Sequence, residues 1–336
     1  MVPGTPDRRK TIANKLWFAA IIVILLLVDV LVVLLSSDAG QTSKSDTEIG
    51  AYEPSDALKP ESVVMPEEEP VKPSEDDTAE SNKLSVIDFQ PVIDGWVSST
   101  GGEKGVIIYD LDLDKVVGEY HADTKFETAS LYKLFVVYEG YRRVQNGEWK
   151  ADDAAGNTGR TIIKCLDLAI RESDSECAET MWNMIGRENL NKIVQAEYGI
   201  PSITVSTLMA TPREIMQMMK IFYEHKEIKD QKLLDTMWDS MLNQPITEYN
   251  WRQGLPSGFT ADAKVYNKVG WAYVIDEEDE KGNAVAGHWD IYNDAAIVDF
   301  KTQNRQFIIV TMTNNVPHQR IRAFGTLFEE MFLREN

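Results

Sequence analysis

The sequence predicts a mixed α/β protein of the α+β kind: an antiparallel sheet flanked by helices, plus an all-helical lobe. Three observations predict it. The run 105-GVIIYDLDLDKVVGEYHAD-123 has β-branched stretches around an Asp/Lys turn and reads as a hairpin. Strand patterns return after Pro256 in 263-AKVYNKVGWAYV-274, 291-IYNDAAIVDF-300 and 306-QFIIVTMTNN-315, while the interval of about 128–245 is helix-rich. A sheet built from both ends of a region whose middle is helical leaves a groove between two lobes, where a ligand would sit.

In chain order, residues 1–15 form a basic amino terminus with Arg8, Arg9, Lys10 and Lys15. The apolar run 16-LWFAAIIVILLLVDVLVVLL-35 follows and has about the length of a bilayer-spanning helix. The preceding cations orient such a helix with its amino end in the cytoplasm, so the rest of the chain is expected outside the cell membrane. Secretion after cleavage is the alternative, although the run exceeds a usual signal-peptide core and no A-x-A-like site is evident. Residues 36–83 are rich in Ser, Pro and Glu; from Asp38 to Lys83 thirteen acids face four lysines. That composition cannot bury enough apolar surface to order itself, and an extended stalk is expected. The folded domain then spans residues 84–336.

Within the domain, 84-LSVIDFQPVIDGWVSS-99 reads as helical, and the hairpin follows. The segment 126-FETASLYKLFVVYEGYRRVQ-145 opens a core helix, and 161-TIIKCLDLAI-170 and 176-ECAETMWNMIG-186 read as two more. Thr211, Pro212 and Glu214 mark a helix start with a capping box. A last helix closes the chain over about 318–333. Cys165 and Cys177, twelve residues apart, are compatible with a disulfide in an exported domain and equally with two buried thiols.

The net charge of −20 argues against a nucleic-acid partner, since phosphate binding needs clustered Lys and Arg. Four histidines without paired spacing give no metal site, and the set His288, Asp290 and Asp294 has no ligand pattern; no cofactor is expected. The acidic run 276–283 reads as a solvated hairpin tip. Oligomeric state is not encoded in any feature of the sequence.

The chemistry-bearing residues come in three short motifs. Ser130 and Lys133, at i and i+3, share a helix face about 5–6 Å apart. The lysine precedes a run of apolar residues that buries it, and a buried lysine with a lowered pKa can activate a serine. Ser173-Asp174-Ser175 lies between two helices and reads by itself as a turn with a helix cap. Lys268 and Gly270 fall within a strand, where glycine often marks close approach of a ligand.

S-x-x-K, then S-D-x about forty residues on, then K-x-G, resembles the active-site-serine penicillin-recognising enzymes, and class A β-lactamases most closely. The resemblance extends over most of residues 105–333 and implies a β-lactamase/transpeptidase-like fold. It implies Ser130 as the acylated nucleophile, Lys133 as its proton acceptor and Ser173 as the relay to the leaving nitrogen. Lys268 would attract a substrate carboxylate and lower the pKa of Lys133. Gly270 and Ser175 would line the substrate, and the N–H groups of Ser130 and Trp271 would form an oxyanion hole. The expected substrate is a β-lactam amide.

Three positions depart from the family pattern. Ser175 stands where Asn is usual. Val269 stands where Thr or Ser is usual, so a hydroxyl donor to the substrate carboxylate is missing; Arg320 or Arg322 could replace it. The interval 199-GIPSITVSTLMA-210 holds no acid where these lactamases place the glutamate that deacylates them, and Glu188 belongs instead to a helix start. Two alternative functions follow: a D-Ala-D-Ala carboxypeptidase-like enzyme acting on peptidoglycan peptides, and a degenerate domain that binds cell-wall fragments or a partner without turnover.

Overall fold

The computed structural model describes residues 84–200, 207–246, 249–272 and 291–335. The predicted anchor at 16–35, the stalk at 36–83 and the acidic run 276–283 lie outside these residues, as do His288 and Asp290. Among the described residues no helix is long and apolar enough to cross a membrane.

The strand-forming runs at the two ends of the domain pair into one five-stranded antiparallel sheet. Its strands are β1 (Glu103–Asp110), β2 (Lys115–Tyr120), β5 (Ala263–Ala272), β6 (Ile291–Phe300) and β7 (Arg305–Asn314), in the order β2-β1-β7-β6-β5. Register runs from Glu103 opposite Asn314 to Asp110 opposite Phe307, and from Ala263 opposite Phe300 to Ala272 opposite Ile291. Both faces of this sheet are covered, which explains the near-continuous apolar character of its strands. Ile107, Ile297, Ile308 and Val310 face the helical lobe; Val106, Ile108, Val298 and Ile309 face a second core on the other side. That second core is closed by α1 (Gln90–Ser99) and α8 (His318–Glu335), with Phe89 stacked on Phe328 at 4.3 Å between ring centres.

One helix boundary differs from expectation. Residues 84–89 are not helical, and α1 starts only at Gln90. Pro91 in its first turn favours that start, and the Phe89 N–H is committed to the Val117 carbonyl of β2 at 2.9 Å.

The lobe is built around α2 (Lys133–Gln145), whose first nine residues, Lys133 to Tyr141, are all buried. Around it stand α3 (Ile162–Arg171), α4 (Ser175–Ile185), α5 (Arg187–Ala196), α6 (Pro212–Glu224) and α7 (Gln231–Leu242). The predicted capping box is present: Thr211 N–H donates to Glu214 Oε2 at 2.7 Å, and Glu214 N–H donates to Thr211 Oγ1 at 3.2 Å. Glu188 lies in the first turn of α5, as its sequence context implied. Glu139, fully buried on α2, accepts from Arg142, Arg143 and the Tyr198 hydroxyl, so its charge is matched inside the lobe.

Candidate active site

The two-residue strands β3 (Phe126–Glu127) and β4 (Met209–Ala210) pair at the junction of sheet and lobe, and the chain turns out of β3 into α2. Ser130 was expected on an α-helical face with Lys133. It sits instead in a single 3-10 turn, Ala129–Tyr132, that feeds the helix at Lys133. With three residues per turn, side chains at i and i+3 eclipse, so the spacing keeps its meaning in the tighter geometry. Ala129 enters this turn at φ 43°, a left-handed conformation that a non-glycine residue adopts at a cost of about 1–3 kcal/mol. Leu131 and Tyr132, within the same turn, are buried. Among the described residues, the half-buried Ser130 hydroxyl makes no hydrogen bond within the protein.

Lys133 and Lys268 are each 1% exposed. Lys133 Nζ donates to the Ser173 carbonyl, to Ser175 Oγ at 3.1 Å and to Ser173 Oγ at 3.3 Å. Lys268 Nζ donates to Ser173 Oγ at 2.8 Å and to the Val269 carbonyl at 2.8 Å. The Ser173 hydroxyl therefore bridges the two amines, one from the lobe and one from the sheet. Burial brings the Lys133 pKa down to about 8, against the opposing pull of Asp174 and Glu179. Burial also holds Lys268 well below the ordinary lysine value, and the Lys133 charge pushes it further down.

The turn that carries Ser173 is braced from several sides. Ser173 adopts φ 57°, a second left-handed non-glycine residue at the same site. Cys165 on α3 and Cys177 on α4 form a disulfide, resolving the open alternative and clamping the two helices that the turn connects. Asp174 caps α4 by accepting from the Cys177 N–H at 2.8 Å. Trp251 Nε1 donates to the carbonyl of Glu172 at 3.1 Å, and Arg171 pairs with Asp167 and Asp239. Trp251→Phe removes the indole donor while keeping an aromatic ring. It is expected to lower stability by about 0.5–1.5 kcal/mol, read as a denaturant midpoint, and to slow acylation of Ser130 a few-fold to about tenfold.

Gly270 lies in β5 beside the Ser130 turn. A Cβ there would sit 2.2 Å from the Thr128 carbonyl oxygen and 2.9 Å from the Leu131 side chain. The close approach that the glycine permits is therefore made by the protein's own Ser130-bearing turn. Gly270→Ala must displace backbone, and a loss of about 1–3 kcal/mol in stability is expected by analogy with overpacked cores. Thermal unfolding would register it, together with a slower reaction at Ser130.

Val269 and Trp271 point to the opposite face, in the core under α8. Opposite Val269 across the ladder stands Asp294, buried, accepting from Asn267 Nδ2 at 3.0 Å and from the Leu255 N–H at 2.8 Å. Burial raises its pKa to about 7, against these hydrogen bonds and the charges of Arg252 and Lys268. Trp271 packs against Trp251, Tyr292 and His318, with ring centres 5.4, 5.0 and 5.8 Å apart. Arg320 and Arg322 are exposed on α8.

The structure thus brings Ser130, Lys133, Ser173, Ser175, Lys268 and Gly270 together. Sequence reasoning missed Trp251 and the Asn267–Asp294 pair. The signal available for the first was a tryptophan in the polar loop before 255-LPSGF-259; for the second it was a pair of polar residues inside apolar strands.

A model of the beta-lactamase enzyme family matches residues 88–327. No curated protein matches the chain. Among solved structures, a class A beta-lactamase representative from Bacteroides cellulosilyticus DSM 14838 is similar with a TM-score of 0.60 at 16% identity, covering 74% of this chain and 100% of that one. A beta-lactamase from Chitinophaga pinensis DSM 2588 gives 0.59 at 16% identity, covering 72% and 97%. An ancestral class A beta-lactamase of Gram-negative bacteria gives 0.59 at 16%, covering 72% and 99%. At such identities the likeness establishes the fold alone.

Proposed function

The chain belongs to the beta-lactamase enzyme family, and from that membership we propose that it is a serine acyl-enzyme hydrolase with slow deacylation. Ser130 Oγ attacks the carbonyl of a strained or activated amide such as a β-lactam. Neutral Lys133 accepts the serine proton, and Ser173 passes a proton to the nitrogen as the C–N bond breaks. The N–H groups of Ser130 and Trp271 stabilise the oxyanion. The observation that carries this reading is the Ser173 hydroxyl held between two buried lysine amines, 2.8 Å from one and 3.3 Å from the other.

Hydrolysis of the resulting ester needs a base for water, and the interval 199–210 contains no acid. This favours a long-lived acyl-enzyme and supports, as a second reading, a D-Ala-D-Ala carboxypeptidase-like activity on peptidoglycan peptides. A degenerate, non-catalytic domain is disfavoured by Ser175, whose Oγ accepts from Lys133 where the usual amide would. In the cellular setting that fits, the apolar run 16–35 anchors the chain in a bacterial membrane and residues 36–83 hold the domain outside, toward the wall.

Intact-mass analysis of the full chain after exposure to a penicillin tests the proposal, beside hydrolysis of a chromogenic cephalosporin. The expected result is a penicilloyl adduct on Ser130 that persists for minutes and is absent from Ser130→Ala. Turnover without a detectable adduct would require an unrecognised base. If neither adduct nor turnover occurs, and a fluorophosphonate also leaves Ser130 unlabelled, the acyl-enzyme reading is overturned.

A further inference from the structure

The interval 199–210 supplies no acid to activate water, but the helices beside Lys133 do carry acids. Among the described residues, two carboxylates act on the Lys133 amine through space, those of Asp174 and Glu179. Asp174 is committed elsewhere: its Oδ1 accepts from the Cys177 N–H at 2.8 Å, and its Oδ2 faces Arg160 at 3.4 Å. Glu179 remains.

Glu179 stands on α4 four residues after Ser175, a spacing that sets two side chains on one helix face about 5–6 Å apart. That face is turned to the site, because Ser175 Oγ accepts from Lys133 Nζ at 3.1 Å. A second tie comes from the Ser130 turn itself. The hydroxyl of Tyr132, two residues beyond Ser130, donates to Glu179 Oε1 at 3.1 Å. Burial and the Glu179 charge raise the Tyr132 pKa, so this hydroxyl stays a neutral donor. On the far side, Arg187 of α5 pairs with Glu179 Oε2. The Arg187 guanidinium lies over the Trp182 ring at 4.0 Å, and Trp182 packs on Tyr132 with ring centres 4.9 Å apart. The carboxylate is thus held from two sides, yet its side chain is 43% exposed and within reach of water. Ser175 fits the same purpose. It is shorter than the Asn usual at this position, and after accepting from Lys133 its hydroxyl keeps a proton to donate to a water.

Resting on the acyl-enzyme reading, we infer that Glu179 is the general base that hydrolyses the Ser130 ester, acting from α4, and that its pairing with Arg187 keeps this step slow. Glu179 takes one proton of a water as the water oxygen bonds to the acyl carbon. The bond from that carbon to Ser130 Oγ then breaks. The proton passes from Glu179 through the Lys133 amine to Ser130 Oγ, which leaves free serine and a carboxylic acid.

Single-turnover experiments on the full chain separate the two half-reactions. Growth of the penicilloyl adduct by intact mass reads acylation, and its decay after removal of free penicillin reads deacylation. Glu179→Gln keeps the side-chain size and an acceptor for Tyr132. It is expected to slow decay by about 10²-fold without slowing growth, since losing the Glu179 charge only lowers the Lys133 pKa. Arg187→Met keeps an apolar stem over Trp182 and is expected to shorten the adduct lifetime several-fold, which loss of a merely structural ion pair would not do. Equal decay in the wild type and Glu179→Gln overturns the inference and leaves the acyl-enzyme reading standing. Equal lengthening of the lifetime in both variants also overturns it, since the pair would then be a brace. A Ser130 that takes up neither penicillin nor a fluorophosphonate removes the acyl-enzyme reading and this inference together.

Discussion

Replacing Lys133 by methionine is expected to slow acylation of Ser130 by about 10²–10⁴-fold, the usual contribution of a positioned general base. Methionine keeps the length and apolar stem of the lysine, so the buried helix around it is preserved. The pH dependence separates loss of a base from a structural effect. Lys133 is protonated in the folded protein below about pH 8 and cannot accept a proton there. The wild-type rate should therefore rise with pH by about tenfold per unit below that value and level off above it, whereas the variant should lack this rise. Stability carries the same signature with its own sign. Between about pH 8 and the ordinary lysine pKa, the unfolded chain binds a proton at Lys133 that the folded chain does not. Folding stability should increase with pH across that window, and Lys133→Met should flatten the part of the increase due to this group. Single-turnover rates and denaturant midpoints at a series of pH values check both.

Removal of the Cys165–Cys177 disulfide, through the double variant Cys165→Ser/Cys177→Ser, is expected to lower stability by about 2–4 kcal/mol. For a domain of this size that corresponds to a fall in Tm on the order of 5–15 °C. The effect on function should exceed what partial unfolding explains, because the bond joins the two helices that end and begin at the Ser173 turn. Ser173 holds a left-handed conformation and touches both amines, so loosening its flanks moves the relay hydroxyl away from both partners at once. Acylation measured well below the variant's Tm should remain at least several-fold slow. Reduction of the wild type with a thiol should reproduce the loss, and reoxidation should reverse it.

What the sequence disclosed and what it withheld divide along the range of the interaction. Thr211, Pro212 and Glu214 announced a helix start because all the partners of a capping box lie within one turn of each other. The hairpin at 105–123 was legible for the same reason. Ser130 and Lys133 were recognisable by spacing and burial. The 3-10 geometry between them was not, since the residues flanking left-handed Ala129 meet partners distant in sequence: Thr128 N–H donates to the Leu208 carbonyl, and Thr128 and Leu131 abut Gly270. Gly270 was visible as a glycine in a strand, yet its neighbour, Thr128, is distant in sequence. The two cysteines could not be paired from a spacing that leaves their separation in space free. Trp251 and Glu172 likewise meet only once α3, the 249–258 loop and β5 are packed.

The position of β7 in the middle of the sheet, between β1 and β6, determines when this chain can become reactive during its own synthesis. Until residues 305–314 are available, β1 and β2 can form only a two-stranded ribbon, which is marginal in water. The pairing of Glu103 with Asn314 spans nearly the whole domain, a connectivity that slows folding and exposes apolar strands while it waits. During that interval β5 and β6, which carry Lys268 and Gly270, can pair with each other but are not joined to β1. A nascent or prematurely terminated chain therefore lacks the closed sheet, and the proposed site is complete only with the carboxyl-terminal strands.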